Sequence, residues 1–409
     1  MLDTIYTSTS GLQTFSKGLD VISNNVTNVN TVGYKANTLL YRDVHYRYML
    51  GSEQGGVQYG AQSGAGVAAD ITSVLFNQGD PRSTGNGTDV AINGRGFFVI
   101  EKDGELVYSR DGQFDFNDAG YLVTRDGGYR VMGLSASGAL TPINENAWRV
   151  LPSVATTEVG LFGNLSTAPG AVDNAIAPIT SGVIPIYDSL GGVHNFKLTF
   201  VFDTTDINLH AWNVTVRDEN GATVGTGSVR FGPDGSPALG FNTLTIAYQA
   251  AGAAAQRIVF NFGTPGSLSD VRSLSVSGGS INAASQDGRE SGTLLSVSFD
   301  EKGRLAFKYS NQQTQTGPQL ALADFDNVQS LQQQGRGLFL PQAGQKARIG
   351  AAGQPGFGAI IAGYVEGSNV DLSSEFTDMI VVQRGYQASS QVLTVANEMM
   401  QQLLEMNRR

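Results

Sequence analysis

Apolar residues recur at alternating steps of three and four along both ends of the chain, and at steps of two through much of what lies between. Ile5, Ser8, Leu12, Phe15, Leu19, Ile22, Val26 and Val29 make the first series. Leu372, Phe376, Met379, Gln383, Tyr386, Ser390, Leu393, Asn397, Met400 and Leu404 make the second. This spacing predicts two long helices, over residues 4–28 and from near Asp371 to Asn407, each with a stripe suited to a helical seam. Their backs are almost uncharged. Lys17 and Asp20 are the only ionic residues between Thr4 and Tyr34, and Arg384 is the only one between Met379 and Asn397. Ser, Thr, Asn and Gln on those backs satisfy hydrogen bonds without burying ions, which predicts helices enclosed by other protein. An intramolecular helical hairpin is the bland alternative, and the low charge favours burial between subunits. The expected subunit contacts are therefore Ile5, Leu12, Phe15, Leu19, Ile22 and Val26 at one end. At the other they are Phe376, Met379, Gln383, Tyr386, Leu393, Asn397, Met400 and Leu404. Gln383, Ser390 and Asn397, seven apart in the stripe, are expected to set register.

The Asn-rich stretch Asn24, Asn25, Asn28 and Asn30, followed by Gly33, predicts the stop of the first helix. Asn369 and Asp371 are the candidate N-caps of the second. Residues 34–78, with five tyrosines and a Gly-rich run, read as extended, irregular chain ordered by lying against something else. Hairpin signals follow from Asp89, including a turn at Asp103-Gly104. A second set of alternating strands includes Leu198/Phe200/Phe202, Trp212/Val214/Val216, Leu244/Ile246/Tyr248 and Ile258/Phe260/Phe262. Two stripes that need partners are expected to pair, which nests the middle of the chain. The expected fold is mixed and multi-domain. Long terminal helices (1–33 with 364–409) pair as a coiled-coil-like core layer, and 34–78 forms an extended connection. Two nested, mainly-β domains complete it: a discontinuous inner one (79–150 with 289–363) and an inserted outer one (151–288).

Composition narrows the functional classes. Of 409 residues 41% are hydrophobic, enough for sizeable cores, and the net charge of −10 argues against nucleic acid as a partner. The aromatic and basic run Tyr41–Tyr48 is accordingly read as a protein-contact strand. With no cysteine there is no disulfide, thiolate metal site or thiol nucleophile. No cleaved signal peptide or membrane span is visible, so export is expected to use another route. His45, His194 and His210 have no metal-ligand spacing, and the Asp115–Asp126 segment reads as a hairpin turn rather than a calcium loop. We therefore expect no catalytic residues, no cofactor, no metal and no small-molecule substrate.

The segments Leu19–Lys35, Thr84–Ile100 and Gly363–Leu393 resemble the shared signatures of the bacterial flagellar rod and hook axial proteins. The signature positions are Ser23, Asn24, Asn25, Asn28, Gly33 and Tyr34 near one end. Near the other they are Ser368, Asn369, Val370, Asp371, Gln383, Arg384, Tyr386 and Gln387. The length, Asn164–Pro169, Tyr187–Phe200, Ser298–Leu305 and Ala321–Phe339 are similar to the hook branch, which carries an inserted domain that rod proteins lack. The resemblance implies a non-enzymatic subunit, exported by the flagellar type III apparatus and placed extracellularly in the flagellar hook region. It implies self-assembly under a hook cap into a curved, flexible helical tube between rod proteins and hook–filament junction proteins. Such a tube acts as a universal joint transmitting torque and as an export channel. A distal rod or junction protein is the nearest alternative, and a secreted β-rich adhesin or glycan hydrolase the distant one. The subunit's ends are expected to be loose before docking, because unpaired stripes do not offset backbone ordering.

Overall fold

A computed structural model describes residues 2–44, 46–50, 60–64, 66–135, 137–169, 176–205, 210–276 and 278–406. The chain forms two compact units. Unit 1 holds Met1–Asn146, Val297–Phe307 and Gln315–Arg409; unit 2 holds Ala147–Ser296 and Lys308–Thr314. It is mostly β, with one long helix near each end. Among the described residues, no helix is long and apolar enough to cross a membrane.

In unit 1, helix α1 spans Leu2–Thr27 and helix α2 spans Leu372–Met406. Past the end of α1, Asn28 donates to the Asn24 carbonyl from both its backbone (3.2 Å) and its side chain (2.8 Å). Gly33 then takes φ +67°, a left-handed conformation that costs glycine nothing. Asp371 caps α2 by accepting the Ser373 N–H at 3.0 Å, and Glu375 sits in the first turn, where the helix dipole favours a carboxylate. Asn369, the other expected cap, is used elsewhere.

The described parts of 34–78 are more regular than their composition predicts. Strand β1 (Asn37–Asp43) pairs antiparallel with strand β4 (Val67–Val74), Asn37 opposite Val74 and Asp43 opposite Val67. Between them β2 (Tyr46–Leu50) pairs with β3 (Gly60–Gly64). The sequence hides this ribbon because β3 reads Gly-Ala-Gln-Ser-Gly, with no branched or aromatic residue to mark a strand. Strand β4 lies against α1, whose Thr14 hydroxyl donates to the Val67 carbonyl at 3.3 Å.

The body of unit 1 is built on the hairpin Phe97–Lys102/Glu105–Ser109. Its turn residues Asp103 and Gly104 have φ +52° and +86°, the two positive values that a tight hairpin turn matching strand twist requires. The strand ending at Asp324 packs beside it, Leu322 opposite Phe98, and continues the sheet to Arg348–Ala351. Phe97, Tyr108, Phe325, Leu331 and Phe339 close the core, with Phe76 brought in from the stretch after β4. Tyr108 and Phe325 meet edge to face at 4.8 Å. Pro81–Ser83 and Val90–Asn93 pair with Tyr364–Glu366 and Ala359–Ala362, so late sequence returns to early sequence. The Asp115–Asp126 segment is a hairpin: Phe114–Phe116 pairs with Leu122–Thr124, and Gly120 (φ +79°) turns the chain.

Unit 2 has two five-stranded sheets. One contains Glu158–Asn164, Thr243–Tyr248, Gln256–Asn261, Val271–Arg272 and Ser280–Gln286; the other contains Ile179–Thr180, Ile184–Tyr187, Val193–Phe202, Ala211–Arg217 and Thr223–Arg230. Alternate residues of both sheets share one core, including Phe196, Leu198, Phe200, Trp212, Val214, Ile246 and Phe260. The buried Trp212 indole donates to the Ser273 hydroxyl at 3.1 Å, which removes the cost of an unpaired N–H. His194 contacts Asp188 at 2.9 Å, and that carboxylate also accepts the Leu190 and Gly192 N–H groups. It is a turn-stabilising histidine.

Candidate functional site

The two helices pack against each other within one chain. Gly11 faces Ser389, Phe15 faces Gly385, Gly18 faces Val382, and Asn25 donates to the Glu375 carboxylate at 2.8 Å. Along these pairs the first residue number climbs as fast as the second falls, which is the register of an antiparallel pair. Glycine permits the approach. A Cβ on Gly18 would lie 2.8 Å from the Tyr41 hydroxyl and 3.3 Å from Val382 Cγ1, and one on Gly385 would lie 2.7 Å from the Phe15 ring. Small residues let each stripe find the other within the chain.

The buried line of α1 is Ser8, Gly11, Thr14, Gly18, Ile22 and Asn25, so of the predicted contacts Ile22 is fully enclosed. Ile5, Leu12, Phe15, Leu19 and Val26 are half-buried beside it. On α2 the predicted Met379, Leu393 and Met400 are half-buried, whereas Phe376, Gln383, Tyr386, Asn397 and Leu404 are exposed. The face of α2 toward α1 runs through Glu375, Met379, Val382, Gly385, Ser389, Leu393, Ala396 and Met400. Gln383, Ser390 and Asn397, expected to set register, are exposed and do not do so within the chain. Val382, Ser389 and Ala396, one position earlier, take those places because the close approach selects the smaller side chains. Ile380, Val381, Val392, Val395, Met399, Leu403 and Leu404 are then left 43–65% exposed on the other faces of α2.

Where the helices meet the β-body, side chains far apart in sequence form a polar clasp. Lys35 Nζ lies 2.5 Å from Glu366 Oε1 and 2.7 Å from the Asn77 carbonyl, while Arg110 lies 3.0 Å from Glu366 Oε2. The Lys35 and Glu366 side chains are 0% and 1% exposed. Burial pushes the Lys35 amine below its usual range, partly countered by Glu366. Gly79 N–H adds a third donor to the carboxylate at 3.0 Å, and the Glu366 carbonyl accepts Gly33 N–H at 2.8 Å. Beside this, Asn369 accepts the Ala36 N–H at 2.7 Å and donates to the Leu75 and Asn77 carbonyls. Asn25 donates to the Asn37 carbonyl and accepts from Asn37 N–H and the Tyr34 hydroxyl.

The structure thus gathers the predicted Asn25, Gly33, Tyr34 and Asn369 at one junction. Asn28 and Asp371 serve as local caps; Ser368 accepts the Val370 N–H at 3.4 Å. Ser23, Asn24, Arg384 and Gln387 are exposed. The sequence reading missed Lys35, Arg110 and Glu366. The available signal was local: Lys35 directly follows the signature residue Tyr34, and Glu366 stands two residues before Ser368.

Asp111 borders the junction, its backbone N 2.7 Å from where a Cβ on Gly33 would stand. Burial pushes its carboxyl up to about 6 from 3.8, against the bond from Gln113 N–H, and Asp126 adds to the rise. The folded state therefore holds this proton more tightly than the unfolded chain. Its contribution to stability is complete below about 3.8 and is lost as pH rises through about 6. Asp111→Asn should leave stability nearly unchanged at pH 3.5 and raise it at pH 7.5, read by denaturant unfolding at the two pH values.

Family comparisons cover the same regions. Residues 5–35 match "Flagella basal body rod protein", 91–156 match "Flagellar hook protein FlgE/F/G D1 domain", 179–379 match "Flagellar basal body protein FlaE D2 domain", and 361–406 match "Flagellar basal body rod FlgEFG protein C-terminal". The chain is 30% identical to the flagellar hook protein FlgE of Escherichia coli K12, across 97% of this chain and 98% of that one. It is 31% identical to that of Salmonella typhimurium, again across 97% and 98%. The crystal structure of Helicobacter pylori flagellar hook protein FlgE2 is similar in fold, with a TM-score of 0.51 at 14% identity over 70% of this chain and 100% of that one.

Proposed function

Because the chain belongs to the flagellar hook protein family, as a structural subunit of the hook, we propose that its terminal helices are the elements that join copies into a tube. The single observation that carries this reading is the uncovered apolar surface of α2, from Ile380 to Leu404, on a helix already paired along one side. Burying such a face contributes about 25 cal/mol per Å², and no further element of the same chain covers it among the described residues. The helical pair (1–33 with 364–409) would form the inner, coiled-coil-like layer and line an export channel with its uncharged Ser, Thr, Asn and Gln. The inner β-region (79–150 with 289–363) and the outer one (151–288) would be the two nested β-domains of the subunit. Sliding between outer regions of neighbouring copies would let the tube bend as a universal joint while the helical layer carries torque.

Homopolymerisation is the central partner relation in this reading. Rod proteins, a hook cap, hook–filament junction proteins and the type III export apparatus would be the others, and catalysis plays no part. Export would proceed through that apparatus. Deleting residues 1–30 should abolish polymerisation of the purified protein while unit 2 keeps its unfolding transition. Electron microscopy and calorimetry read the two outcomes. Tubes formed by the truncated chain would overturn the proposal.

A further inference from the structure

In unit 1 α2 outruns α1. With Asn25 facing Glu375 and Gly11 facing Ser389, the start of α1 at Leu2 comes level with the turn just after Ala396. Ala396 is 0% exposed, and beyond it Met399, Leu403 and Met406 fall at steps of four and three on one face, 43%, 47% and 74% exposed. The overhang from Met399 to Met406 is about 12 Å of helix. At the opposite end of the pair, α1, β1 and the start of α2 enclose a groove of about 360 Å³. Phe15, Leu39, Tyr41, Leu75 and Val381 give it apolar walls, and Glu375 and Asp378 line it with negative charge. Burial pushes the Glu375 carboxyl up, against the hydrogen bond from Asn25, with Asp378 and Asp371 adding to the rise. The sequence that follows the overhang is Asn407-Arg408-Arg409.

We propose that the groove receives the final turns of α2 from a second copy of this chain. Met399, Leu403 and Met406 would face its apolar walls, and the positive charge of the sequence after Met406 complements Glu375 and Asp378. An amphipathic helix laid in an apolar groove with i, i+4, i+7 anchors is a recurrent recognition mode, and the charges fix its direction. The two surfaces sit at different ends of the helical pair, so the contact is head to tail and repeats without closing on itself. This inference rests on the self-assembly reading above and adds which surface meets which.

The cysteine-free sequence gives a direct test. A chain carrying both Val381→Cys and Leu403→Cys places its two thiols roughly 33 Å apart on one helix, far beyond disulfide reach, so any disulfide joins two copies. Oxidising the assembled polymer should give a ladder of covalent oligomers on a non-reducing gel, and Leu403→Cys combined with Leu239→Cys should not. A tube that assembles without the ladder overturns this contact and leaves the polymer reading intact. As a second measurement, a labelled peptide of residues 396–409 should bind the full-length chain, and Asp378→Arg should weaken that binding at least tenfold. Absence of binding, or equal binding to both chains, overturns the proposal.

Discussion

Glu366→Gln is expected to destabilise unit 1 by about 3–5 kcal/mol, the usual cost of leaving a buried charge without its partner. Glu366 is the one carboxylate between Lys35 and Arg110, and both of its oxygens are occupied. Glutamine keeps the volume but presents an amide N–H₂ to one of two cations, so Lys35, whose side chain is fully enclosed, loses its counter-charge. Burial already lowers the Lys35 pKa below 10.5. The folded variant would then release that proton before the unfolded chain does, and its deficit should narrow as pH rises toward 10.5. Chemical denaturation across pH 7–10 measures both the loss and its slope. A variant as stable as the parent at pH 7 would mean that the cluster is spectator chemistry.

Gly33→Ala should cost about 2–4 kcal/mol, from left-handed backbone strain plus overpacking. The residue has φ +67°, and an added Cβ would stand 2.7 Å from Asp111 N and 2.9 Å from the Arg110 carbonyl carbon. These are backbone atoms held by the same junction, so relief requires moving the chain rather than turning a side chain. The loss should appear in the transition affected by Glu366→Gln, and combining the two changes should give a deficit smaller than their sum, since both loosen one site. A thermal melt unaltered by Gly33→Ala would place the strain elsewhere.

The sequence made the two long helices legible because a 3.6-residue period over many turns admits few other readings. The alternating strands of unit 2 were readable for a similar reason: Phe196, Leu198 and Phe200 point to one core at steps of two. What stayed hidden depended on distance or on size. Lys35 and Glu366 are 331 positions apart, so nothing local announces their ion pair. Met379, Leu393 and Met400 keep their places on α2, but Gly385 rather than Tyr386 meets α1, because hydrophobicity ranks Tyr386 above Gly385 whereas close packing against Phe15 needs the glycine. The ribbon of β1 and β4 was obscured by the Gly-rich chain joining them, although its tyrosines suggested a contact strand. Of the junction, the Asn, Gly and Tyr positions were visible as signature residues, and their joint purpose emerged once the late segment lay beside the early one.

The division of the chain into two units has a practical corollary for making chimaeras. Unit 2 takes in Lys308–Thr314 as well as Ala147–Ser296, while Val297–Phe307 between them belongs to unit 1. A graft that exchanges the long stretch alone leaves the recipient carrying a hairpin tip shaped for the stretch that was removed. Transplanting both pieces together, at four splice points, is the exchange that respects how the polypeptide is partitioned.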